Sequence, residues 1–326
     1  MKKVKFGIVG TGNIAHRFAN AIKNVPNAEL LAVASRCREN ADKFGDEFNI
    51  PYRFSSYEAM AESDVIDAAY IAVPHSSHKD CSILMMNNKK HVICEKPMAV
   101  NKKECEEMIY CAKSNDVLLM EAMWASLVPG TLKMKKLINS GILGDIRCCE
   151  GKFCYTMDED EMGHHVLKNS NGGGSLLDVG IYCLYFAKWY LGTDIEEFSA
   201  YSDNFNNIDA HTHVLMKYNG GEIASLSSAV LLRKEGGGFI YGTNGFAQLD
   251  RCYAPQRILL NLNDGTKEEI SVPFSGNGFE EQIEHFADLI LKGIKESPVN
   301  TFEQTLFIAN QMDEIRKKIG IKYPQD

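Results

Sequence analysis

The sequence lacks the features that would direct it to a nucleic acid, a membrane or a metal ion. Its net charge is −8, so no excess of positive charge draws it to DNA, RNA or an anionic lipid surface. It has no apolar run of about 20 residues, the length needed to cross a bilayer. Its ten cysteines include no Cys-x-x-Cys pair and no Cys/His set with zinc spacing. We therefore expect no nucleic-acid partner, no membrane association and no metal site.

The composition is that of a soluble globular protein with more than one domain. Hydrophobic residues make up 45% of the 326 residues and charged residues 24%. This length favours two hydrophobic cores over one. Several cysteines, among them Cys81, Cys94, Cys111 and Cys183, lie inside apolar stretches, which is typical of buried thiols in a reducing compartment. Since no apolar leader precedes the first strand-like run, we expect a cytoplasmic protein.

The N-terminal stretch carries a dinucleotide-binding motif in its required context. The apolar run from Lys5 to Val9 predicts a buried strand, and helix-like spacing follows residue 15. Between them stands a Gly-x-Gly-x-x-Ala sequence, whose glycines permit a tight turn and a close backbone approach to a pyrophosphate. The alternative is a structural turn. The expected pyrophosphate loop consists of Gly10, Thr11, Gly12, Asn13 and Ile14.

The end of the second predicted strand favours NADP over NAD. An NAD site places an acidic residue here to accept from the ribose 2′-hydroxyl, but no acid occurs between Leu30 and Arg38. Ser35 and Arg36 stand there instead, and both can bind a 2′-phosphate. The alternative is that Arg36 only faces solvent.

Two later strands end in polar residues that are candidates for the same site. The strand from Ala68 ends at Pro74-His75, and the strand from His91 ends at Glu95-Lys96 before a proline. Ligands of open parallel sheets bind at the carboxyl ends of strands, so these residues should lie near the cofactor. The alternatives are a structural His75 and a solvated pair of charges at Glu95 and Lys96.

The alternation of strands and helices predicts where the first domain ends. It continues to about residue 122, so we assign residues 1–122 to a doubly wound parallel (Rossmann) domain of the α/β class. Residues 123–326 are assigned to an α+β domain with a large, mostly antiparallel sheet and two closing helices. The open face of that sheet is the expected interface of a homodimer.

The second predicted domain contains a polar pair among apolar neighbours. Asp178 and Tyr182 are four residues apart on a predicted helix and share one face. They form either a satisfied buried hydrogen bond or a working site. His164 and His165 lie in a polar loop, from 156 to 171, that offers no third ligand for a metal.

Taken together, these motifs resemble the glucose-fructose oxidoreductase, inositol dehydrogenase and rhizopine-catabolism family (Gfo/Idh/MocA) over essentially the whole chain. The resemblance is strongest to the branch of dimeric dihydrodiol dehydrogenases and NADP-dependent xylose dehydrogenases. The motifs that carry it are Pro74-His75, Cys94 to Met98, Met120 to Trp124 and Gly173 to Cys183. Many members carry histidine where this chain has Tyr182, which resembles the dihydrodiol branch and weakens a mechanism based on that histidine.

The resemblance implies a reaction and a set of residues. It implies that a substrate is held between the two domains and that Lys96 reaches both the nicotinamide ribose and the substrate. We expect NADP-dependent oxidation of a secondary alcohol, or the reverse reduction, on a cyclic sugar, polyol or dihydrodiol, with Lys96 and Tyr182 handling the proton. Supporting pocket residues are Asp178, His75, Trp124 and Arg147. The alternative function is a cofactor-binding regulator that has lost catalysis.

Overall fold

A parallel six-stranded sheet forms the first part of the structure, a computed structural model that describes residues 2–157 and 164–326. Its strands are β1 (Val4–Val9), β2 (Ala28–Ala34), β3 (Tyr52–Phe54), β4 (Ala68–Ile71), β5 (His91–Cys94) and β6 (Leu119–Glu121). They lie in the order β3-β2-β1-β4-β5-β6, and every neighbouring pair is parallel. The strand order therefore reverses between β1 and β4, where doubly wound folds bind their ligands. The predicted Rossmann fold is confirmed.

The helices between these strands begin and end where local chemistry requires. They are α1 (Asn13–Ala21), α2 (Arg38–Phe48), α3 (Tyr57–Glu62), α4 (His78–Asn87) and α5 (Lys102–Asn115). Ser56 and Asn101 cap the N-termini of α3 and α5, each accepting a hydrogen bond from the backbone N–H three residues on. Asn49 and Asp116 end α2 and α5 in the left-handed conformation.

A second sheet of eight strands follows. It comprises β7 (Ile146–Cys154), β8 (Ile195–Phe205), β9 (Ile208–Tyr218), β10 (Ile223–Ala229), β11 (Gly237–Gly242), β12 (Gly245–Leu249), β13 (Arg257–Leu262) and β14 (Lys267–Ser271). The order is β14-β13-β12-β11-β7-β10-β9-β8. The sheet is mostly antiparallel, as predicted, but β7 is inserted between β11 and β10 and pairs with β10 in parallel. A simple run of hairpins does not describe it.

Helices cover one face of the second sheet. Between β6 and β8 lie α6 (Pro129–Asn139), a π-helix (Leu176–Gly180) and α7 (Ile181–Leu191). Eight of the eleven residues of α7 are buried, because it packs on β7 and β10. The sheet buries alternate residues such as Val214, Met216 and Leu226 on the same side. Successive residues of a strand point to opposite faces, so the residues between them form a second, open face.

The chain divides into two compact units. The first comprises residues 1–124 and 275–306, and the second comprises residues 125–274 and 307–326. The last two helices are α8 (Glu280–Leu291) and α9 (Phe302–Ile319). Sequence reasoning assigned both to the second domain, but α8 packs against β1 and β2 of the first sheet. The described helices include none with the length and apolar character needed to cross a bilayer.

Candidate functional site

The turn after β1 is shaped to receive a phosphate group. Gly10 has φ +104°, and a Cβ added there would lie 2.4 Å from the carbonyl oxygen of Ala72, so only glycine fits. A Cβ added at Gly12 would meet no atom within 4 Å. Gly12 also precedes α1, whose N-terminus has no side-chain cap. The N-terminus of α1 thus lies at the strand-order reversal with no capping side chain and with space beside Gly12, which fits a pyrophosphate.

The end of β2 presents one buried and one exposed polar side chain. Ser35 is buried, and its hydroxyl accepts a hydrogen bond of 3.3 Å from the backbone N–H of Cys37. Arg36 is exposed, and its guanidinium lies near the hydroxyl of Tyr57. Burial raises the pKa of Tyr57, and the nearby Arg36 guanidinium partly opposes that shift. The Ser35 hydroxyl and the Arg36 guanidinium remain the candidate groups for binding a 2′-phosphate.

The Glu-Lys-Pro turn after β5 has a buried acid and a half-buried base. Glu95 is 4% exposed; it accepts hydrogen bonds from the Tyr70 hydroxyl and, at 3.3 Å, from the Lys96 backbone N–H. Burial raises the pKa of Glu95, and the Lys96 charge and the Tyr70 hydrogen bond oppose this shift. Lys96 is partly exposed within an otherwise buried stretch from residue 92 to residue 100. Glu95 is therefore part of the framework, and Lys96 is the residue this turn presents.

The segment after Pro97 is tied to β6 by contacts distant in sequence. Glu121 is buried and accepts from the Met98 backbone N–H at 3.0 Å and from the Thr305 hydroxyl at 2.9 Å. Asn300 donates to the carbonyl oxygens of Glu121 and Met123, each at 3.3 Å. Residues 300 and 305 thus belong to the scaffold of the first unit, which the sequence did not indicate.

His75 and Trp124 are both well buried. His75 is 5% exposed, and its ring meets that of His78 edge to face, with centroids 5.5 Å apart. Trp124 is 3% exposed; the guanidinium of Arg17 lies 4.4 Å from the centroid of its ring and equally far from that of Phe279. Such cation–π contacts hold the Trp124 ring in place. Substrate contact through His75 and Trp124 stays a prediction.

The predicted pair Asp178 and Tyr182 lies in the second unit, on one continuous helical segment that begins as a π-helix and continues as α7. Asp178 belongs to the π-helix and Tyr182 to the first turn of α7. The Tyr155 hydroxyl donates a 2.7 Å hydrogen bond to Asp178 Oδ2. Single π-turns are rare and concentrate at functional sites. Because its hydroxyl binds Asp178, Tyr155, which lies just past the end of β7, joins the predicted pair as a third candidate residue.

Aromatic rings surround Tyr182. The rings of Phe153 and Tyr253 stack with centroids 4.1 Å apart and planes 11° apart. The Tyr182 ring lies 5.7 Å from Phe153 and 5.3 Å from Tyr253. This cluster has the apolar ring faces and hydroxyl groups that suit a cyclic polyol.

A buried carboxylate anchors the start of the π-helix. Asp209 Oδ2 accepts hydrogen bonds from the Leu176 backbone N–H at 2.6 Å, the Ser175 hydroxyl at 2.8 Å and the Thr212 hydroxyl at 2.9 Å. Burial nevertheless raises the pKa of Asp209 to about 6. A Cβ at Gly174 would lie 2.1 Å from Asp209 Oδ1, so glycine permits this close approach. Asp209 thereby fixes the segment that carries Asp178.

Arg147 does not lie near this cluster. It is exposed near the start of β7 and pairs with Asp145 at 3.1 Å, whereas Tyr155 follows the other end of that strand. At about 3.3 Å per residue, the eight residue steps from Arg147 to Tyr155 span about 26 Å. The predicted pocket role of Arg147 does not fit this placement.

The predicted absence of a metal site concerns a loop that is described only in part. Residues 158–163 of the polar loop lie outside the described residues. Within the described residues no group of three potential metal ligands occurs, and the His164 and His165 rings lie 4.0 Å apart.

Comparison with known proteins identifies the family. Residues 4–123 match the model of an oxidoreductase family with an NAD-binding Rossmann fold, and residues 131–248 match the Gfo/Idh/MocA C-terminal domain. The chain is 35% identical to scyllo-inositol 2-dehydrogenase (NADP(+)) of Bacillus subtilis over 99% of both chains. It is 32% identical to mouse trans-1,2-dihydrobenzene-1,2-diol dehydrogenase over 99% of both chains. The chain belongs to the Gfo/Idh/MocA family of oxidoreductases.

A solved structure with the same fold carries a nucleotide cofactor. The 3-ketoreductase of Actinomadura kijaniata, in complex with NADP and TDP-benzene, superimposes with a TM-score of 0.89 and 25% identity over 98% of both chains. The described fold of both units thus has an experimental counterpart.

Sequence reasoning predicted the glycine loop, the strand-end residues and the pair Asp178 and Tyr182, but it missed several residues around that pair. Tyr155, Tyr253 and Asp209 had no readable motif, since each is one residue of an ordinary strand or loop. The alternation of β7 could have indicated that Phe153 and Tyr155 share a face.

Proposed function

We propose that this oxidoreductase transfers a hydride between NADP and a secondary alcohol or ketone of a cyclic polyol, sugar or dihydrodiol. The observation that carries the proposal is the uncapped α1 N-terminus beside Gly12, combined with Ser35 and Arg36 where an NAD enzyme has an acid. The names of two relatives, acting on scyllo-inositol with NADP(+) and on a dihydrobenzenediol, support it.

The cofactor-binding residues follow from their places on the first sheet. The backbone N–H groups of Asn13 and Ile14 and the turn from Gly10 to Gly12 would hold the pyrophosphate. Ser35 and Arg36 would bind the 2′-phosphate, with Arg36 making a charge-assisted contact. Pro74, Glu95 and Lys96 follow β4 and β5, on the far side of the strand-order reversal, where the nicotinamide half is expected. Bound NADP supplies the hydride acceptor for alcohol oxidation.

The proton is assigned to residues that can exchange it with a hydroxyl group. Alcohol oxidation releases one proton from the substrate hydroxyl as the hydride leaves its carbon. We assign this proton to the Tyr182 phenolate oxygen, which becomes the hydroxyl as it accepts the proton, and we assign Lys96 as the second proton-handling residue. Asp178, bound by Tyr155, orients the substrate or the neighbouring hydroxyl groups. His75 is the competing candidate for the proton.

The substrate class is proposed from the surroundings of Tyr182. Phe153 and Tyr253 offer stacked ring faces, which suit the C–H faces of a cyclohexane or pyranose ring. Tyr155 and Asp178 offer polar groups for hydroxyls. A cyclic polyol presents both kinds of surface.

The test is a substrate panel read at the absorbance band of reduced nicotinamide. Purified enzyme is incubated with NADP⁺ or NAD⁺ and with scyllo-inositol, myo-inositol, xylose, glucose and trans-dihydrobenzenediol. We expect NADP⁺ reduction with at least one cyclic polyol and a lower kcat/KM with NAD⁺. Tight NADP⁺ binding without turnover of any compound would support the cofactor-binding regulator instead.

We also propose a homodimer formed through the open face of the second sheet. Leu215, Tyr201 and Ile223 lie on three neighbouring strands and are 54%, 77% and 44% exposed. Strand pairing puts them on one face, because Ser225 is opposite Leu215, Ser227 and Tyr201 are opposite His213, and Ile223 is opposite Lys217. Phe239 and Tyr241 continue the same face on β11. An exposed apolar sheet face of this kind suits a second copy of the chain.

A further inference from the structure

His78 is fully buried and lies between the two turns that end β4 and β5. Its Nδ1 is 2.8 Å from the carbonyl oxygen of Pro97, and its Nε2 is 2.9 Å from the carbonyl oxygen of Val73. Its exposed fraction is 0%. Both ring nitrogens therefore point at backbone acceptors, one on each turn.

This arrangement is chemically demanding. A carbonyl oxygen only accepts, and a neutral imidazole has a single N–H donor, so only the imidazolium can donate to both oxygens. Burial lowers the pKa of His78 to about 4, although the carbonyls of Pro97 and Val73 oppose this shift. The Lys96 charge acts in the same direction as burial. An apolar residue would fill the space without this cost, so packing alone does not explain a histidine here.

The two acceptors belong to turns that carry candidate site residues. Val73 directly precedes Pro74 and His75, and Pro97 directly follows Lys96. The strands before these turns are neighbours, with Ile71 paired to Cys94. The His78 ring thus connects the two turns at the carboxyl edge of the sheet.

The Lys96 backbone is held on both sides. Glu95 Oε2 accepts from the Lys96 N–H, and His78 contacts the carbonyl oxygen of the next residue, Pro97. The residues on both sides of Lys96 are buried, whereas Lys96 itself is partly exposed. A side chain that must place one charged atom accurately gains from a rigid base.

We propose that His78 is a positioning residue for Lys96 and acts by holding the carbonyl of Pro97. The inference rests on the proposed function, since it gives Lys96 a part in proton transfer. His78 itself touches neither substrate nor cofactor in this account.

Two amide substitutions separate the two contacts of the ring. In His78→Asn the amide nitrogen is attached to Cγ, as Nδ1 is, so it can still donate to Pro97. In His78→Gln the amide nitrogen lies one atom further along, near the position of Nε2, and can donate to Val73. Each variant has a donor for one carbonyl oxygen and none for the other, so the two variants are matched controls for each other in stability.

We expect kcat for the Asn variant to exceed that for the Gln variant by about tenfold, while the Kd for NADP⁺ and the Tm of the two variants stay similar. A purely structural role would lower kcat in parallel with Tm and would not separate the variants. Equal kcat in both variants, or a higher kcat in the Gln variant, would overturn the proposal.

A measurement without substrate keeps this inference separate from the proposed function. Trinitrobenzenesulfonate labels lysine amines, and peptide mass spectrometry gives the labelling rate at Lys96 relative to other lysines. We expect the relative rate at Lys96 to change at least threefold in His78→Gln and less in His78→Asn. If the wild type turns over no substrate but these rates differ, the proposed function fails and the positioning role stands. If turnover is normal and the rates and kcat do not separate the variants, only the positioning role is wrong.

Discussion

At the scale of single residues, Arg36 carries the choice between the two cofactors. Its exposed guanidinium lies beside Tyr57, at the end of the strand where an NAD enzyme would have a carboxylate. Arg36→Ala should raise the Kd of NADP⁺ about 10- to 100-fold and change that of NAD⁺ little, because it removes a charge-assisted contact worth about 1.5 to 3 kcal/mol. Isothermal titration gives both constants.

Arg38 is the matched control for this measurement. It is exposed two residues further on, and its guanidinium already pairs with Asp42 at 2.8 Å. Arg38→Ala should change the NADP⁺ and NAD⁺ constants by similar, small factors. If Arg36→Ala raised the Kd of NADP⁺ and the Kd of NAD⁺ by the same factor, Arg36 would not bind the 2′-phosphate.

Tyr182 is the residue on which the proposed chemistry depends most. Tyr182→Phe should lower kcat by about 10² to 10⁴-fold, the range for a lost general acid-base group, while NADP⁺ binding stays within about twofold. The control is Tyr201→Phe, which removes a hydroxyl from a 77% exposed ring. If Tyr182→Phe keeps its kcat and His75→Ala abolishes turnover, the proton belongs to His75.

The sequence could indicate single residues only where a local rule forces their identity. Gly10 is such a case, since its positive φ and the Ala72 carbonyl exclude any side chain. Glu121 and Thr305 are 184 positions apart, so no local pattern connects them. His78 could be seen as the start of a helix but not as a contact to Pro97. Such residues depend on the tertiary fold.

At the scale of secondary structure, His91 couples two strands in a pH-dependent way. Its Nδ1 accepts a 2.9 Å hydrogen bond from the Leu118 backbone N–H, which requires an unprotonated nitrogen. Burial, with the nearby Lys295 charge, lowers the pKa of His91 from 6.5 to about 4. The folded pKa lies below the unfolded value, so this stabilisation is present above pH 6.5 and is lost as the pH falls towards 4.

His91→Asn tests this linkage, because an asparagine oxygen can accept from Leu118 at any pH. Between pH 7 and pH 4 the wild type should lose about 1 to 2 kcal/mol more unfolding free energy than the variant, after allowance for solvent screening. Urea denaturation at several pH values measures the difference. Parallel pH curves for the two proteins would contradict the assignment.

The elements themselves were mostly predictable, and the exceptions have physical causes. Periodicity indicated β3 and β13 with their observed bounds. Periodicity did not identify β8 as a strand. This edge strand has no fully buried residue, so its alternation of apolar and polar residues is weak. Periodicity also missed the π-helix, since Leu176–Gly180 has the composition of an ordinary helix and its register is set by contacts such as Asp209. The parallel pairing of β7 with β10 is a long-range choice that no local pattern encodes.

At the scale of the whole molecule, the open face of the second sheet determines the expected assembly. Leu215→Glu replaces an exposed apolar side chain of that face with a charge, and the burial of that charge in an interface would be costly. We expect light scattering to give a dimer for the wild type and mainly a monomer for the variant at micromolar concentration. Leu132→Glu, at a 40% exposed leucine on α6, is the control and should remain dimeric. A wild-type monomer, or dissociation in both variants, would count against this interface.

The most direct test of the central claim follows the hydrogen atom itself. A cyclic polyol that the enzyme oxidises is labelled with deuterium at the carbinol carbon and incubated with NADP⁺, and the reduced cofactor is analysed by mass spectrometry. Hydride transfer at a secondary alcohol predicts one deuterium per NADPH formed, with a slower single-turnover rate than for the unlabelled substrate. NADPH that carries only solvent hydrogen, or no NADPH despite bound NADP⁺, would contradict the account.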